Sequence, residues 1–399
     1  MRLAAVDLGA SFVKSALLDT ETLTVSRVER VPFPPFAGGL PPGRREVPVA
    51  TILEIVKKQL DRLLADEPDC GGIVSCGQMH GLVLTDKQRN PLTPFISWMD
   101  ERSFSLQGTA SGSTAAILFS LAQSKQLPEG ATPHSLSDFI LVHLCGSEAA
   151  CEPTMASGFG LFDAQRSGWR ADEIERLGLN PLAWPRIASY REPTGHYRSA
   201  SGKKVPVYAS LGDQQCALLG SLLKPGELSV NVSTGAQVSL LSERFVPGDR
   251  EARSYFDGLF LNTVTHLPSG RTLNPRVDRL GGWEAAEQTG ELREAYEELA
   301  GSYHAAAQKL GKPASWKRLV FSGGLIVKSR LLQQTVRKRF GLEARVSPTG
   351  EDTLFGLLLI SCVLSGRSRD LAQAIKEAEN KCTGYTVPGT PCFSTTGQG

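Results

Sequence analysis

The stretch LAAVDLGASFVKSALL, residues 3–18, has the pattern of two apolar strands joined by a tight turn. The first strand ends near Asp7, and the turn contains Gly9, Ala10 and Ser11. Glycine permits positive φ and a close approach of another backbone. The N–H groups of such a turn can face phosphate oxygens, and the aspartate can hold a hydrated Mg²⁺. An ordinary β-turn has the same pattern, so this motif alone leaves both interpretations open.

A second copy of this pattern occurs later in the chain. The stretch ELSVNVSTGAQVSLL, residues 227–241, places a turn at Ser233, Thr234 and Gly235 between two strands. This turn can bracket a phosphate chain or be a plain polar hairpin tip. In each half a helical segment and then a buried strand follow, at 51–64 and 72–76 in the first half and at 283–310 and 318–322 in the second.

The duplication predicts an α/β protein built from two related domains. A chain of 399 residues suits two cores of ordinary size. We place the domains at 1–204 and 205–399, with the boundary near Ser201 to Val205. A cleft between two such halves is where a ligand is expected.

Composition narrows the class of protein. Apolar residues make up 41% and charged residues 21% of the chain, which is typical of a soluble globular protein. The net charge of +2 gives no electrostatic sign of a nucleic acid or membrane partner. The eight cysteines contain no Cys-x-x-Cys, and residues 1–20 lack the features of a signal peptide. These observations predict reduced thiols and a cytoplasmic location.

The motif Gly212-Asp213-Gln214-Gln215 lies between a predicted strand, 206–210, and a predicted helix through 217–223. Asp213 stands where a helix N-cap belongs, and capping alone would explain it. A carboxylate at the end of a strand can instead accept a proton from a hydroxyl group. Phosphoryl transfer to a hydroxyl uses such a base, since most of its catalysis is positioning and charge neutralisation.

Three further motifs have polar or glycine-rich patterns. Gly323-Gly324 follows a strand, where glycines allow a flat ligand to lie against the backbone or a helix to pack closely. The segment Gly77-Gln78-Met79-His80-Gly81 can bind hydroxyl groups, or it can be an ordinary polar loop. The segment 97–103, which contains Trp98, Asp100 and Arg102, can also bind hydroxyl groups, or it can be the start of a helix.

In order and spacing, these motifs together resemble those of the FGGY carbohydrate kinases. The resemblance covers about 1–265 and 316–362. It implies the two-domain actin-like fold, shared with hexokinase and the heat-shock chaperone ATPases and related to ribonuclease H, with ATP in a cleft between duplicated halves. The Gly-Gln-Met-His-Gly motif resembles that of the ketose kinases in this family, sedoheptulokinase above all and then xylulokinase.

The resemblance implies a role for each matching residue. Asp213 matches the catalytic base, with Gln214 beside it, and Asp7 and Asp213 match the Mg²⁺ site. The sugar contacts would be Gln78, Met79, His80, Trp98, Asp100 and Arg102. The ATP contacts would be Asp7, Gly9, Ala10, Ser11 and Lys14 in the first half, and Ser233, Thr234, Gly235, Gly323, Gly324 and Ser329 in the second.

The implied function is ATP-dependent phosphorylation of a ketose, with sedoheptulose as the first expectation. Xylulose or another polyol, such as glycerol, is the alternative substrate. Ala10-Ser11 replaces a usual Thr-Thr or Thr-Ser. The region between Gly281 and Phe321 is shorter than in the family, so a second alternative is a protein that binds sugar or nucleotide without catalysis. The resemblance also allows a homodimer.

Overall fold

The structure is a computed structural model of the chain. It describes residues 1–102, 113–146, 148–200, 202–233, 235–245, 251–288 and 290–383. Within these ranges, every helix is too short or too polar to cross a membrane. The contacts divide the chain into two compact units, 1–220 with 351–399 and 221–350.

Strands are numbered along the chain. They are β1 (Arg2–Leu8), β2 (Phe12–Asp19), β3 (Thr24–Pro32), β4 (Glu46–Val47), β5 (Ile73–Gly77), β6 (Val83–Thr85), β7 (Phe95–Ile96), β8 (Thr132–His134), β9 (Ala150–Cys151), β10 (Phe162–Asp163), β11 (Gly168–Trp169), β12 (Arg186–Ile187), β13 (Pro193–Arg198), β14 (Lys204–Tyr208), β15 (Leu211–Gly212), β16 (Glu227–Val232), β17 (Ala236–Ser242), β18 (Glu251–Ser254), β19 (Phe260–Leu267), β20 (Arg318–Ser322) and β21 (Ala344–Val346).

Helices follow the same convention. They are α1 (Val49–Asp66), α2 (Thr114–Gln123), α3 (Leu136–Cys145), α4 (Pro153–Ala156), α5 (Ala171–Arg176), α6 (Asp213–Gly220), α7 (Gly270–Arg279), α8 (Trp283–Gln288), α9 (Glu291–Leu310), α10 (Gly324–Lys328), α11 (Arg330–Phe340), α12 (Asp352–Leu364) and α13 (Leu371–Thr383).

The first unit is organised around a seven-stranded sheet. Its order is β13-β14-β5-β1-β2-β3, and β15 also pairs with β5. The β1, β2 and β3 meander is antiparallel, whereas β5 is parallel to β1, to β14 and to β15. Side chains alternate between the two faces of a strand. Ala4, Val6 and Leu8 accordingly share a core with α1 and α3, and Asp7 lies on the opposite face.

Helices α6 and α12 pack with their backbones in close contact in the first unit. A Cβ atom on Gly356 would overlap the carbonyl oxygen of Cys216, and one on Gly220 would overlap that of Asp352. Most of α12 is buried, and it also contacts β1, β2, β3 and β5. The two glycines therefore set the distance between α12 and the helix that begins at Asp213.

The second unit repeats the strand order of the first. Its sheet is β18-β19-β17-β16-β20-β21, with β16, β17 and β19 antiparallel and β20 parallel to both β16 and β21. Helix α9 contributes Tyr296, Leu299 and Tyr303 to the core on one face of this sheet, together with Val336 and Phe340 of α11.

The structure confirms the duplicated strand pattern predicted from the sequence, including both hairpins and the strand after each, and it shows that this later strand is parallel to the first strand of its hairpin. The helix predicted over 283–310 is instead two helices, α8 and α9, and Gly290 between them has φ +78°. The predicted boundary near 201–205 falls between β13 and β14, which form an antiparallel pair inside the first unit. Ser201 itself lies outside the described residues.

The close packing of α6 and α12 predicts the effect of one added methyl group. Gly356→Ala must push the helices apart, and we expect the free energy of unfolding to fall by about 1–3 kcal/mol or more. Gly301→Ala is the matched control, because nothing lies within 4 Å of a Cβ there in α9. The control should leave stability unchanged or raise it by up to about 1 kcal/mol. Urea unfolding of the three proteins measures both, and equal midpoints would contradict the packing described.

Candidate active site

Three parallel strands end together at one edge of the sheet of the first unit. In the pairing register, Leu8 of β1 and Gly212 of β15 both stand opposite Gly77 of β5. Asp7, Gln78 and Asp213 therefore lie at the carboxyl ends of neighbouring strands. In open α/β sheets, this edge is where ligands bind.

One carboxylate oxygen of Asp7 forms a hydrogen bond and an ion pair, and the other has no hydrogen-bond partner. Its side chain is buried, and Oδ2 accepts a hydrogen bond of 2.7 Å from Oγ1 of Thr353 at the start of α12. The Nζ atom of Lys14 is 3.4 Å from the same oxygen. Oδ1 is buried and has no hydrogen-bond partner. A buried, unpaired carboxylate oxygen is costly unless a ligand completes it.

Lys14 is held between two carboxylates. Its Nζ atom lies 3.0 Å from Oε2 of Glu351 in addition to the contact with Asp7, and Glu351 also binds Arg30. Burial lowers the pKa of Lys14, but the carboxylates of Asp7 and Glu351 raise it, and the net pKa is above the ordinary lysine value. Lys14 is therefore a cation at this edge, as a role near phosphates would require.

The turn between β1 and β2 exposes Ala10 and Ser11. Gly9 is not in the left-handed region, so of the two properties that glycine permits, the turn does not use positive φ. The glycine is explained by close approach, because a Cβ atom there would lie 3.2 Å from the carbonyl oxygen of Phe12.

Gln78 follows β5 directly and is 5% exposed. Its backbone N–H donates to the carbonyl oxygen of Leu8 at 3.1 Å, which fixes the residue against the end of β1. The side-chain Nε2 atom is buried and has no hydrogen-bond partner. Such a donor is suited to a ligand oxygen.

Met79 and His80 are held by the segment around α4. Met79 packs in an apolar cluster with Cys151, Met155 and Phe159. The Nδ1 atom of His80 is 2.8 Å from the carbonyl oxygen of Gly158. A carbonyl oxygen only accepts, so Nδ1 carries the proton, and in a neutral ring Nε2 is then the acceptor.

Trp98 differs in environment from Asp100 and Arg102. Trp98 is 38% exposed, and backbone hydrogen bonds between Leu82 and Ile96 tie its segment to the loop that contains His80. Asp100 is fully buried and accepts from the Arg45 N–H and from the Arg102 guanidinium. Asp100 and Arg102 therefore brace this segment, and their contact with a sugar stays a prediction.

Asp213 is the first residue of α6 and is half-buried. Its Oδ1 atom accepts a hydrogen bond of 2.7 Å from the N–H of Gln214, which is itself buried. Burial raises the pKa of the Cys76 thiol well above its usual value, and the charges of Asp7 and Asp213 raise it further. Both carboxylates therefore lie near the same residue of β5, the strand that pairs with β1 and with β15.

Two residues that the sequence analysis missed support the segment before Asp213. Thr154 is fully buried, and its Oγ1 atom accepts the N–H of Gly212 at 3.0 Å. The same hydroxyl donates to Glu152, and the Thr154 N–H donates to that carboxylate at 2.7 Å. The signal in the sequence is Glu152-Pro153-Thr154, because a carboxylate before proline is typical of a helix start.

In the second unit, the turn between β16 and β17 contains Ser233 and Gly235. The N–H of Ser233 donates to the carbonyl oxygen of Gly235 at 2.8 Å, and a Cβ atom on Gly235 would meet nothing within 4 Å. The space next to the Cα atom of Gly235 is therefore open. Thr234 lies outside the described residues.

Gly323, Gly324 and Ser329 surround the short helix α10. Gly323 has φ +89°, and a Cβ atom there would lie 2.6 Å from the carbonyl oxygen of Val232, so glycine is required. Gly324 has open space around its Cα atom. Ser329 is 4% exposed, and its Oγ atom caps α11 by accepting the N–H of Leu332. Capping explains Ser329, and its contact with a nucleotide stays a prediction.

The residues at the sheet edge are suited to Mg²⁺ bound together with phosphates. The described residues contain no cluster of three or more His, Cys, Asp or Glu that could hold a metal by themselves. Mg²⁺ commonly uses one or two carboxylates and completes its shell with water and substrate phosphates. The unpaired Oδ1 atom of Asp7 is a ligand of this kind.

The units define a duplicated α/β fold of the actin-like class, and comparisons with known proteins agree. Residues 3–111 match the family model described as the FGGY family of carbohydrate kinases, N-terminal domain. This match to the first part of the chain confirms the resemblance found in the motifs. The chain is 28% identical over 180 residues to a xylulose kinase of Staphylococcus xylosus. The aligned region covers 38% of this chain and 37% of that protein.

Solved structures show the same fold over most of the chain. A ligand-bound xylulose kinase from Lactobacillus acidophilus matches with a TM-score of 0.81 and 15% identity, over 94% of this chain and 91% of that one. A Plasmodium falciparum glycerol kinase with ADP matches with a TM-score of 0.79 and 15% identity, over 94% and 92%. The actin-like fold predicted from the sequence is therefore confirmed.

The buried Glu152 predicts a pH dependence of stability. Burial raises the pKa of Glu152 to about 7, and that of Asp138 likewise to about 7. Between about pH 5 and 7 the folded state holds protons that the unfolded state releases, so the free energy of unfolding falls as pH rises. Glu152→Gln should flatten this slope by up to about 1.4 kcal/mol per pH unit.

Urea unfolding at several pH values from 5 to 8 measures that slope. Glu129→Gln is the matched control, because Glu129 is exposed. The assignment would be wrong if Glu152→Gln and Glu129→Gln kept the same slope as the unsubstituted protein.

Proposed function

We propose that the protein is an ATP-dependent carbohydrate kinase that phosphorylates a hydroxyl group of a ketose. The observation that supports this most strongly is the shared sheet edge in the first unit, where Asp213 lies beside two unpartnered buried polar atoms, Oδ1 of Asp7 and Nε2 of Gln78. The edge thus supplies a base, a cation ligand and a donor for a sugar oxygen.

Asp213 is the proposed general base. Its carboxylate receives the proton of the attacking sugar hydroxyl as that oxygen bonds to the γ-phosphorus of ATP and the bond to the β-phosphate oxygen breaks. The N–H of Gln214 donates to Oδ1 of Asp213 and so fixes the orientation of the carboxylate. Lys14, held as a cation by Asp7 and Glu351, offsets negative charge near the phosphates.

The proposed sugar contacts lie in the loop after β5. Nε2 of Gln78 donates to a sugar oxygen, and His80, held at Nδ1 by the carbonyl oxygen of Gly158, is the proposed second contact. The exposed face of Trp98 packs against the apolar face of the sugar ring or chain.

Asp7 is the proposed ligand of Mg²⁺, which when bound neutralises phosphate charge and orients the transferred group. The turn at Gly9, Ala10 and Ser11 offers N–H groups to the phosphates in the first unit. The turn at Ser233, Thr234 and Gly235, together with Gly323 and Gly324, is the proposed counterpart in the second unit. The glycerol kinase of the same fold was solved with ADP, which supports a nucleotide as the second substrate.

A ketose is the proposed substrate class. The relative from Staphylococcus xylosus is a xylulose kinase, and the loop Gln78-Met79-His80 was identified from its resemblance to ketose kinases. The aligned part spans only about two fifths of that relative's length. The proposal of a ketose substrate is therefore based on the loop and not on similarity over the whole protein. Xylulose and sedoheptulose are both candidates under this proposal.

Substitution of the base tests the proposal. Asp213→Asn keeps the size of the side chain and its acceptor oxygen but removes the basic oxygen. We expect kcat to fall by about 10²–10⁴-fold, while the Kd for ATP with Mg²⁺ stays the same, because only proton transfer is lost. Asp172→Asn, at an exposed position in the first turn of α5, should leave kcat unchanged. A coupled ADP assay and calorimetry give the two quantities, and normal turnover by Asp213→Asn would contradict the role.

A sugar panel tests the substrate class. We expect kcat/KM to be higher for xylulose or sedoheptulose than for glycerol, because the Gln78 donor and the polar loop around it suit a chain with several oxygens. Coupled detection of ADP with each sugar measures this. A preference for glycerol would overturn the ketose proposal. Nucleotide binding without ADP production for any sugar would support the rival function, a binding protein without catalysis.

A further inference from the structure

The hydroxyl group of Thr154 connects a buried carboxylate to the backbone beside the proposed base. Thr154 is fully buried, and Glu152 is 4% exposed. The single proton of a threonine hydroxyl can be donated once, and here it is donated to Oε2 of Glu152. The lone pairs of Oγ1 then remain to accept the N–H of Gly212, at 3.0 Å.

Gly212 is also paired and closely packed by other groups. Its strand, β15, pairs with Cys76 and Gly77 of β5. A Cβ atom on Gly212 would lie 2.5 Å from Oε1 of Gln215 and 3.1 Å from Sδ of Met79. The N–H of the residue before Asp213 is thus fixed by one side chain, and its Cα atom is enclosed by two others.

The same short segment also fixes the sugar loop. A Cβ atom on Gly158 would overlap the carbonyl oxygen of Met79, and the Gly158 carbonyl oxygen accepts the Nδ1 proton of His80. Residues 152–158, which we call the brace, therefore contact both the loop with His80 and strand β15, which ends at Gly212 just before Asp213. A displacement of the brace would change the position of one relative to the other.

We propose that Thr154 is a positioning residue of the kinase, whose hydroxyl, oriented by Glu152, holds the Gly212 backbone so that Asp213 faces the sugar hydroxyl. The proposal rests on the proposed function, since Asp213 has to be the base. Thr154 itself does not touch the reacting atoms. It affects the orientation of the base and therefore changes kcat. It has little effect on the affinity for ATP or sugar. Misplacement of a reacting group by about 1 Å can cost on the order of 10²-fold in rate.

Thr154→Val and Thr154→Ser separate the hydroxyl from the rest of the side chain. Valine keeps the shape and removes the hydroxyl, whereas serine keeps the hydroxyl and removes a methyl group. We expect Thr154→Val to lower kcat by about 10–100-fold with KM for sugar and ATP nearly unchanged. Thr154→Ser should keep most of the activity. Thr335→Val, which removes a buried hydroxyl bonded within α11, is the matched control and should keep full activity.

Amide hydrogen exchange of peptides that contain Gly212 gives a readout independent of catalysis. Loss of the acceptor should speed exchange at Gly212 in Thr154→Val but not in Thr154→Ser or Thr335→Val. The positioning role is overturned if Thr154→Val keeps full kcat, if serine loses as much as valine, or if exchange at Gly212 is unchanged. If the unsubstituted protein phosphorylates no sugar, the proposed function fails. In that case the exchange contrast between valine and serine still decides whether Thr154 fixes Gly212.

Discussion

Parallel pairing of β5 with β1 and with β15 is the constraint on which the candidate site depends. Parallel neighbours end at the same edge of a sheet, so three segments distant in sequence place Asp7, Gln78 and Asp213 side by side. The antiparallel partner β2 then brings Lys14 opposite Asp7 in the register. Each of these side chains is polar and at least partly buried, and two of them keep an unpartnered atom, which is costly in a protein that binds nothing there.

The rest of the first unit holds this edge in place. Helix α12 supplies Thr353 to Asp7, and its glycine contact with α6 sets the position of the helix that begins at Asp213. The brace at 152–158 reaches the same edge and contacts both β15 and the sugar loop. The acceptor side of the proposed reaction is therefore built from the first unit, in which helices α12 and α13 join residues from the N-terminal half of the chain.

The strands and both turns were predictable because hydrophobic pattern and glycine position are local signals. The duplicated hairpins and the strands after them were found from sequence, and the motif order indicated the family. Strands β18 and β19 were missed. Other features depend on tertiary contacts. The role of Thr154 is visible only from its hydrogen bond with Gly212 of β15. The glycine at position 9 is explained by the close approach of the Phe12 carbonyl oxygen and not by positive φ. Ser329 matches a nucleotide-site position by resemblance, and the structure adds that it caps α11.

A crystal structure with a ketose and a non-hydrolysable ATP analogue with Mg²⁺ tests the central claim most directly. The account predicts a sugar hydroxyl roughly 2.6–3.2 Å from a carboxylate oxygen of Asp213. It also predicts a second sugar oxygen at Nε2 of Gln78, with Asp7 facing the metal and phosphates. A sugar bound away from the shared edge of β1, β5 and β15, with Asp213 and Gln78 facing no sugar oxygen, would contradict it.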